Sequence, residues 1–562
     1  MHGINREVAA QLRLMGDLLE ILGEESFKIR AYYRAADSVD RLEKPVPEMD
    51  EAELRTLPGI GVNIAGKIVE YTRTGVIHEL EEIASSVPAT LVELLDLEGV
   101  GPKTVHTLWK RMHIDSVEAL ESAAKNRRLR SLRGFGAKKE EAILRAIGRR
   151  RRDTGRMTRL EAEAVIARLA PFFSETSFTI AGSYRRGAST IGDIDIVTTE
   201  PVERVTPKIR SVADEVLDEG DRRISLRTGG RRVDIRFTGQ GNAGTMLLYL
   251  TGSQQFNIRM REIALERGLK LNEYGVTERE NGTIHSFPDE ASVFSFLGMA
   301  FIPPELREDH GEIKLALSHA LPTLLTAADV KGDLHVHSSW SDGSMSIEQI
   351  ARLGEEIGYE YIACTDHSAS LGVAHGVDRE DLRRQQQEIE RINRKTECAV
   401  LAGVEVDILG DGNLALPDAV LGDCELVIAS VHSGFNQSED VITRRLLSAI
   451  HNDHVDIIGH PTGRLLGKRM PYAVDVERII DAAADTGTAL EINASPYRLD
   501  LDDIYVRRAH KHGAILAIGT DAHHREDAAV MRHGIAIARR GWCAKSDVLN
   551  TRPLKDLREW TG

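Results

Sequence analysis

Apolar residues recur at intervals of three and four in VAAQLRLMGDLLEILG and ATLVELLDLEGVG, both within residues 1–155. That spacing places apolar side chains along one face of a helix, so it predicts a helical region. Alternation of apolar and polar residues, which is typical of strands, first appears in SFTIAGS and GDIDIVTT. We therefore expect a mixed α/β unit to begin near residue 157.

Short apolar runs and helix-length segments alternate through residues 331–562. The runs are GDLHVHS, YIACTDH, AVLAGVEVD, LVIASVH, VDIIGHP, TALEINA and ILAIGTDAH. Regular strand–helix alternation favours a parallel barrel, whose reactive groups lie at the carboxyl ends of its strands. The preceding stretch, about 302–331, contains a Pro-Pro break and no motif, and we place the main linker there.

The composition excludes two classes of protein. The four cysteines, Cys364, Cys398, Cys424 and Cys543, lack paired metal-type spacing, so a disulfide-stapled scaffold is excluded and a reducing cytoplasm is expected. No apolar run approaches the roughly 18 residues of a membrane span, and MHGINREVAA lacks the apolar core of a signal peptide. We expect a soluble intracellular protein, and 562 residues predict several domains.

Positive charge is concentrated in one stretch of an acidic chain. The formal net charge is −15, yet residues 101–160 hold 17 Lys and Arg against 6 Asp and Glu. Such a stretch suits contact with a phosphate backbone, and a solvated basic helix is the alternative.

A glycine-containing repeat occurs three times in the helical region. LPGIG at 57–61, LEGVG at 97–101 and LRGFG at 132–136 each precede an apparent helix. Paired glycines permit a tight turn, and the exposed amides of the following helix can donate to phosphate oxygens. The repeat resembles the helix-hairpin-helix motif, which implies DNA-backbone contacts at Gly59, Gly61, Gly99, Gly101, Gly134 and Gly136.

Three carboxylates are the candidate metal ligands of the middle unit. Strand alternation places Asp193 and Asp195 on one face, and Asp234 lies in a second strand of the same character. Converging carboxylates repel unless a cation such as Mg²⁺ neutralises them. The arginines of GSYRRG supply charge for a triphosphate, so nucleotidyl transfer is predicted. The alternative is a pair of solvent-facing aspartates on an edge strand.

Histidine is concentrated in residues 331–562, which hold 13 of the 20. Nine candidate ligands fall at the carboxyl ends of the predicted strands: His335, His337, Asp342, His367, Glu405, His432, His460, Asp521 and His523. Mixed nitrogen and oxygen donors suit two or three Zn²⁺, Mn²⁺ or Fe²⁺ ions. Such a cluster lowers the pKa of bound water, so phosphoester hydrolysis is predicted. The alternative is that each residue is an ordinary core or surface group.

The motifs GSYRRG, GDIDIV, VDIR and YLTGSQQFNIRMR (249–261) resemble the family X DNA polymerases over about residues 1–315. The resemblance implies metal ligation by Asp193, Asp195 and Asp234, with Mg²⁺ or Mn²⁺. It also implies that Ser183 and Arg186 contact the triphosphate of the nucleotide. Its sugar and base would be contacted by Tyr249, Gly252 and Asn257. Arg261 would lie near the template strand. Leu250 and Gln254 replace an aromatic and an acid of the beta-type enzyme, which bears on sugar discrimination and nucleotide affinity.

KIRAYYRAA (28–36) and LPGIGVNIAGKIVEYTRTG (57–75) resemble the lyase domain of the same family. The resemblance implies that Lys67 is the Schiff-base lysine and that Lys28 contacts a DNA phosphate. A lysine is nucleophilic only when its pKa is lowered. Deoxyribose-phosphate lyase activity and a simple phosphate contact therefore both remain open for Lys67.

HVHSSWSDG, TDHS, GVEVD, SVHS, GHPTGR and TDAH resemble the PHP (polymerase and histidinol phosphatase) domain, and the nine ligands fill its metal positions. Glu491, Asn493 and His375 are expected to support those ligands or contact substrate. A polymerase core followed by a PHP domain resembles the bacterial and archaeal PolX family. That resemblance implies Mn²⁺-dependent 3′→5′ exonuclease activity, with 3′-end trimming and abasic-site cleavage in some members.

We therefore predict a multidomain protein with a helical helix-hairpin-helix region, an α/β nucleotidyltransferase palm and thumb of the polymerase beta type, and a distorted (β/α)7 PHP barrel. The predicted boundaries are 1–80 (lyase-like), 81–155 (fingers-type), 156–240 (palm), 241–315 (thumb), 316–331 (linker) and 332–562 (PHP). The expected partners are gapped or primer–template DNA and dNTPs, for a cytoplasmic, nucleoid-associated monomer without membrane contact. A small-molecule phosphatase and a DNA-binding scaffold with vestigial sites are the alternatives.

Overall fold

The computed structural model describes the chain except residues 1–2, 41, 43, 45, 75–76, 86, 88–90, 92, 97–99, 113, 133–134, 137–138, 141–142, 145–155, 175, 370–375 and 562. The chain divides into two compact units, Met1–Thr154 and Gly155–Gly562. Within the described ranges, no helix is both long enough and apolar enough to cross a bilayer.

The first unit is helical, as the apolar spacing predicts. Its described helices are α1 (Gly3–Leu22), α2 (Ser26–Asp40), α3 (Glu51–Leu54), α4 (Val62–Thr74), α5 (His78–Ser85), α6 (Pro102–Met112) and α7 (Val117–Lys125). Leu12, Met15 and Leu19 bury one face of α1 in a core shared with the other helices. Helix α3 begins where the Asp50 carboxylate caps the Glu53 N–H.

The second unit begins with a five-stranded sheet of order β2-β4-β7-β6-β5. The strands of this region are β1 (Met157–Thr158), β2 (Phe178–Ile180), β3 (Thr190–Ile191), β4 (Ile194–Thr198), β5 (Glu215–Gly220), β6 (Arg223–Thr228) and β7 (Arg231–Phe237). Its helices are α8 (Arg159–Leu169), α9 (Gly182–Arg185) and α10 (Val202–Arg210). Ile194 and Ile196 pack with the helix residues Val205 and Ile209 on one face, so alternation leaves Asp195 on the opposite face.

A smaller helical subdomain follows the sheet. It contains α11 (Ala243–Thr251), α12 (Gln254–Glu266), β8 (Leu269–Asn272), β9 (Gly275–Glu278), β10 (Ile284–His285), α13 (Glu290–Phe296) and α14 (Glu312–Leu317). Its core includes Phe256, Phe294 and also Trp542 from the last part of the chain. The segment predicted as a linker is packed, since Leu325 N–H donates to Cys543 O (2.9 Å) and Lys331 N–H to Asn550 O (2.7 Å).

Seven parallel strands then follow one another in chain order around a barrel. They are β11 (Gly332–Val336), β12 (Tyr361–Cys364), β13 (Ala399–Asp407), β14 (Leu426–Ser430), β15 (Ile457–Ile458), β16 (Ala489–Asn493) and β17 (Leu516–Gly519). The helices are α15 (Ile347–Ile357), α16 (Arg379–Asn393), α17 (Asp418–Leu421), α18 (Glu439–Ile450), α19 (Val476–Thr486), α20 (Asp503–His512), α21 (Met531–Arg540) and α22 (Leu554–Thr561). A bridge between Val336 and Ala522 brings the end of the sheet beside its start, which confirms the predicted barrel.

Candidate metal centres

The nine candidate ligands of the C-terminal half lie together at the carboxyl end of the barrel. His335 belongs to β11 and Glu405 to β13, whereas the others lie in loops that follow strands. Because the strands are parallel, these loops all leave the same end of the barrel.

Atoms able to bind a metal approach one another closely in this cluster. His337 Nε2 lies 3.1 Å from His335 Nε2 and 3.2 Å from Asp521 Oδ1. Glu405 Oε1 lies 3.1 Å from His460 Nε2. Three sets have one such atom per residue, all within 4.8 Å: His337, Asp342, His367 and His523; His335, His337 and Asp521; and His367, Glu405 and His432. The structure therefore brings all nine side chains together.

The donor atoms are buried in a way that fits bound cations. His337 Nδ1 and His460 Nδ1 are buried and lack a hydrogen-bond partner among the described residues. His367 Nδ1 and Glu405 Oε2 lie 2.7 Å apart, yet neither makes a well-directed hydrogen bond with a described residue. Buried polar atoms are rarely left unpaired, and a cation bound beside His337 Nδ1 and between His367 Nδ1 and Glu405 Oε2 would give these atoms a partner.

Opposite charges in the cluster shift the pKa values of its members. Burial acts to raise the pKa of Asp342, but His523 and His367 outweigh it and lower that pKa to about 2. Burial acts to lower the pKa of His432, but Glu405 and Asp407 outweigh it and raise that pKa to about 10. A histidine must be neutral to bind a metal, so cation binding would release the proton of His432.

Two of the three expected supporting residues hold the ligands in position. Glu491 accepts the backbone N–H of His460 (2.6 Å), and its other oxygen lies 2.7 Å from His335 Nδ1. Asn493 Nδ2 donates to Asp521 Oδ2 (3.1 Å). Such contacts fix the orientation of metal ligands. His375, the remaining expected contact, lies outside the described residues.

Sequence reasoning missed two contributors to this centre. Asp407 Oδ1 lies 2.6 Å from His432 Nδ1, and the signal for it was its position two residues after Glu405 on one strand. Arg498 Nε lies 3.4 Å from Asp521 Oδ2, and its buried Nη1 has no hydrogen-bond partner among the described residues. No motif that the sequence analysis identified includes Arg498.

The middle unit places its three carboxylates at one point on the palm sheet. Asp195 and Asp234 are Cα partners on β4 and β7, and Asp193 lies in a bend immediately before β4 rather than within the strand. Burial, Asp193 and Asp234 together raise the pKa of Asp195 to about 7. Ser225 and Arg232 bind Asp234 and lower its pKa despite its burial. Carboxylates this close need a cation to be charged together.

The loop beside these carboxylates carries two predicted nucleotide contacts. Gly182 has φ 63°, and a Cβ there would collide with the Asp195 carboxylate, so glycine permits this close approach. Ser183 lies in α9 and Arg186 caps it. The Arg186 guanidinium donates to Glu308 Oε1 (2.8 Å) and to Thr251 O (2.8 Å).

The other predicted nucleotide contacts flank the start of α12. Asn257 Nδ2 donates to Tyr249 O (2.6 Å) and Gly252 O (3.1 Å), so it holds this turn closed. The Tyr249 side chain is 38% exposed. Arg261 Nε donates to Asn257 O (3.1 Å). Hydrogen bonds thus connect the four residues.

In the first unit, the described repeat glycines are exposed before helices. Gly59 has φ 84° and packs against the backbone of α2, and Gly61 precedes α4. Gly101 precedes α6, and Gly136 is exposed. Gly99 and Gly134 lie outside the described residues.

The two lysines of this unit have different environments. Lys28 is exposed in the first turn of α2. Lys67 is buried, and its Nζ lies 2.7 Å from Glu79 Oε2. Burial acts to lower the pKa of Lys67, but Glu79 and Tyr32 outweigh it and the pKa is raised. This environment opposes the neutral amine that a Schiff base requires.

Comparison with known families gives matches along the chain. A helix-hairpin-helix domain matches residues 4–77 and a SAM-like helix-hairpin-helix tandem matches 91–149. The DNA polymerase beta palm matches 156–238, the DNA polymerase beta thumb 246–308, and the PHP domain 333–495.

Known relatives match either the whole chain or one part of it. The DNA polymerase/3′-5′ exonuclease PolX of Bacillus subtilis is 39% identical, and the match covers 98% of both chains. DNA polymerase lambda of Rattus norvegicus is 27% identical over 54% of this chain and 56% of its own. A probable phosphatase of Thermoanaerobacter sp. is 32% identical over 39% of this chain and 89% of its own.

Proposed function

The chain belongs to the PolX group of family X DNA polymerases, which carry a PHP domain after the polymerase core, and we propose that it fills short gaps in DNA during repair and processes 3′ ends. The observation that carries this proposal is the presence of two separate metal-type centres in one chain, one of carboxylates and one of imidazoles with carboxylates. One centre extends a 3′ end, and the other shortens it.

In the polymerase centre, Asp193, Asp195 and Asp234 hold Mg²⁺ or Mn²⁺. Divalent cations bound there supply the charge that activates a primer hydroxyl and neutralises the departing pyrophosphate. Ser183 and Arg186 bind the triphosphate, and Tyr249, Gly252 and Asn257 contact the sugar and base. Arg261 lies near the template strand. The supporting observation is that the carboxylates and the GSYRRG loop lie in the sheet region and the residues 249–261 lie in the helical subdomain that follows it.

In the barrel centre, the nine clustered side chains hold two or three Zn²⁺, Mn²⁺ or Fe²⁺ ions. Such ions supply a nucleophilic water at neutral pH and charge for the phosphodiester. The chain contributes Arg498, whose Nε lies beside Asp521 and whose buried Nη1 has no hydrogen-bond partner in the described part of the chain. It provides a positive group for a non-bridging phosphate oxygen. Asp407 and Glu491 orient His432 and His335.

The helical unit holds DNA through backbone phosphates, with Lys28 and the glycine turns as contacts. The charge of 101–160 and the exposure of Gly61 and Gly101 support this role. The substrates are then gapped or primer–template DNA and dNTPs, and we place the protein as a monomer at the nucleoid in the cytoplasm. The proposed domains are 1–80, 81–155, 156–240, 241–315 and 332–562, with 316–331 connecting the last two. For Lys67, pairing with Glu79 raises the pKa and disfavours the neutral amine of lyase chemistry, so we retain the phosphate contact.

A gapped duplex, end-labelled on the primer, tests the proposal. It is incubated with dNTPs and Mn²⁺, and lengthened and shortened products are scored in the same reaction. We expect both products, with lengthening dependent on dNTPs. Failure of the purified protein to produce either one would contradict the corresponding half of the proposal.

A metabolite phosphatase is the second candidate for the barrel, because the Thermoanaerobacter protein that matches this region is described as a probable phosphatase. The helix-hairpin-helix matches argue against it, since a metabolite needs no DNA-binding unit. Turnover of a phosphorylated metabolite and of single-stranded DNA, compared at equal enzyme concentration, separates the two. We expect the DNA to be preferred.

A further inference from the structure

Helix α21 of the barrel region lies directly against the loop that carries Ser183 and Arg186. Gly187 in that loop has φ 74°, and a Cβ built there would stand 3.1 Å from the Ala536 methyl of α21. The helix and the loop belong to one compact unit. A side chain at 187 would therefore push the helix and the loop apart.

One link between α21 and the loop passes through a buried arginine. The Arg159 guanidinium donates to His533 Nδ1 (3.0 Å) and to two loop carbonyls, Tyr184 O (3.2 Å) and Ala188 O (3.3 Å). Arg159 is 7% exposed and His533 is 1% exposed. Because an arginine N–H can only donate, His533 Nδ1 accepts and the imidazole proton lies on Nε2. His533 Nε2 lies 3.5 Å from Glu163.

A second link is direct and reaches Arg186 itself. Arg540 Nη1 donates to Arg186 O (2.9 Å) and to Glu308 Oε1 (2.9 Å). The same Glu308 oxygen accepts from Arg186 Nε (2.8 Å). Two guanidinium groups therefore share one carboxylate, and Arg540 is anchored on its other side by Asp503 (2.7 Å).

Together these contacts hold alternate carbonyls of the loop, at Tyr184, Arg186 and Ala188, through two guanidinium groups. We propose that helix α21 positions the nucleotide site. His533 and Arg540 are its positioning residues, for the triphosphate-binding loop and for Arg186. This inference rests on the proposed polymerase function. It gives the barrel a role in nucleotide addition that is separate from its metal cluster.

The charges around Glu308 predict how loss of Arg540 changes nucleotide binding. With Arg540 in place, the Glu308 carboxylate is shared, so Arg186 can leave it for a triphosphate at lower cost. Without Arg540, Glu308 has Arg186 as its remaining cationic partner among the described contacts and competes with the incoming nucleotide. Removal of Arg540 should therefore weaken nucleotide binding more than the chemical step. Removal of the His533 acceptor should act in the same direction, because Arg159 then loses a contact that positions it against the Tyr184 and Ala188 carbonyls.

The test measures steady-state gap filling and single-strand degradation on the same preparations of full-length protein. Arg540→Met and His533→Leu should each raise the KM for dNTP about ten-fold, as expected for losing a hydrogen bond to a charged group. The kcat and the nuclease rate should change less than about two-fold. His533→Asn should restore KM, because its amide oxygen replaces the Nδ1 acceptor.

Arg525→Gln is the matched control, since it removes an exposed ion pair with Glu356 just before the same helix. It should leave both activities unchanged. An unchanged KM in Arg540→Met and His533→Leu would overturn the inference while the proposed function stands. An equal loss of gap filling and degradation, or a fall in kcat at constant KM, would also overturn it, because α21 would then serve folding alone. A wild-type protein that adds no nucleotide would refute the proposed function and this inference together.

Discussion

Asp195 and Asp234 stand directly beside each other on parallel strands, yet the pKa values of their carboxyl groups shift in opposite directions. Burial and two neighbouring carboxylates raise the pKa of Asp195 to about 7. Ser225 and Arg232 hold Asp234 in its charged form. A bound cation is therefore needed chiefly to keep the Asp195 carboxyl group deprotonated.

Replacement of Asp195 by Asn should abolish nucleotide addition and spare degradation. The amide keeps the shape of the side chain but removes the charge that holds the cation, so we expect at least about a hundred-fold loss in gap filling. Primer extension and single-strand degradation on one preparation measure the two effects. A parallel loss of both activities in folded protein would contradict the assignment of two separate centres.

Replacement of His337 by Ala should give the opposite pattern. His337 belongs to two of the three ligand sets in the barrel, so its loss disrupts more than one cation position. Degradation should fall at least about a hundred-fold, while gap filling persists. Metal content by mass spectrometry should fall in the same variant. Unchanged metal content and nuclease activity would exclude His337 as a ligand.

Asp407→Asn tests a residue that is not itself a proposed ligand. Asp407 orients His432 through its Nδ1, and loss of such a contact typically costs ten- to a hundred-fold in metal affinity or activity. We expect the Mn²⁺ concentration for half-maximal degradation to rise within that range, with activity recovered at high Mn²⁺. Asp411→Asn, at an exposed carboxylate four residues on, is the control. Loss that Mn²⁺ does not restore would point to misfolding.

The sequence predicted the nine candidate ligands and two residues that support them, Glu491 and Asn493, but not the contacts between distant parts of the chain. The nine imidazoles and carboxylates are encoded in short motifs after strands, and parallel topology alone is enough to bring them together. Arg159 and His533 are 374 residues apart, and the chain between them shows no pattern that pairs them. The same holds for Arg540 and Glu308. Lys67 illustrates another limit, because its pKa depends on Glu79, which tertiary packing brings to it.

Glu79→Gln should make Lys67 more reactive. The Glu79 carboxylate helps to keep the pKa of Lys67 raised, whereas burial alone would lower it. We expect borohydride trapping of an abasic-site DNA to be weak in the wild type at pH 7.5 and stronger in Glu79→Gln. Trapping should vanish in the double variant Glu79→Gln, Lys67→Ala. Strong wild-type trapping that is lost in Lys67→Ala would instead establish lyase activity.

Asp456 lies at the amino end of β15, away from the metal cluster, and accepts a hydrogen bond from Val427 N–H (2.7 Å). Burial raises its pKa to about 7, whereas an unfolded aspartate has a pKa of about 3.9. The folded protein therefore binds more protons than the unfolded chain between these values. The free energy of unfolding must then fall, through this group, as the pH rises from about 4 to 7.

Asp456→Asn should remove that pH-dependent penalty, since an amide oxygen still accepts from Val427 and carries no charge. The stabilisation of the variant relative to wild type should grow by up to about 3 kcal/mol between pH 5 and pH 8, at about 1.4 kcal/mol per pKa unit. Thermal unfolding of both proteins at the two pH values measures it, as a Tm difference that is larger at pH 8. Asp453→Asn, at an exposed neighbour, should show no such trend. A Tm difference that shrank as the pH rose would mean that Asp456 is charged in the folded protein and stabilised by a partner.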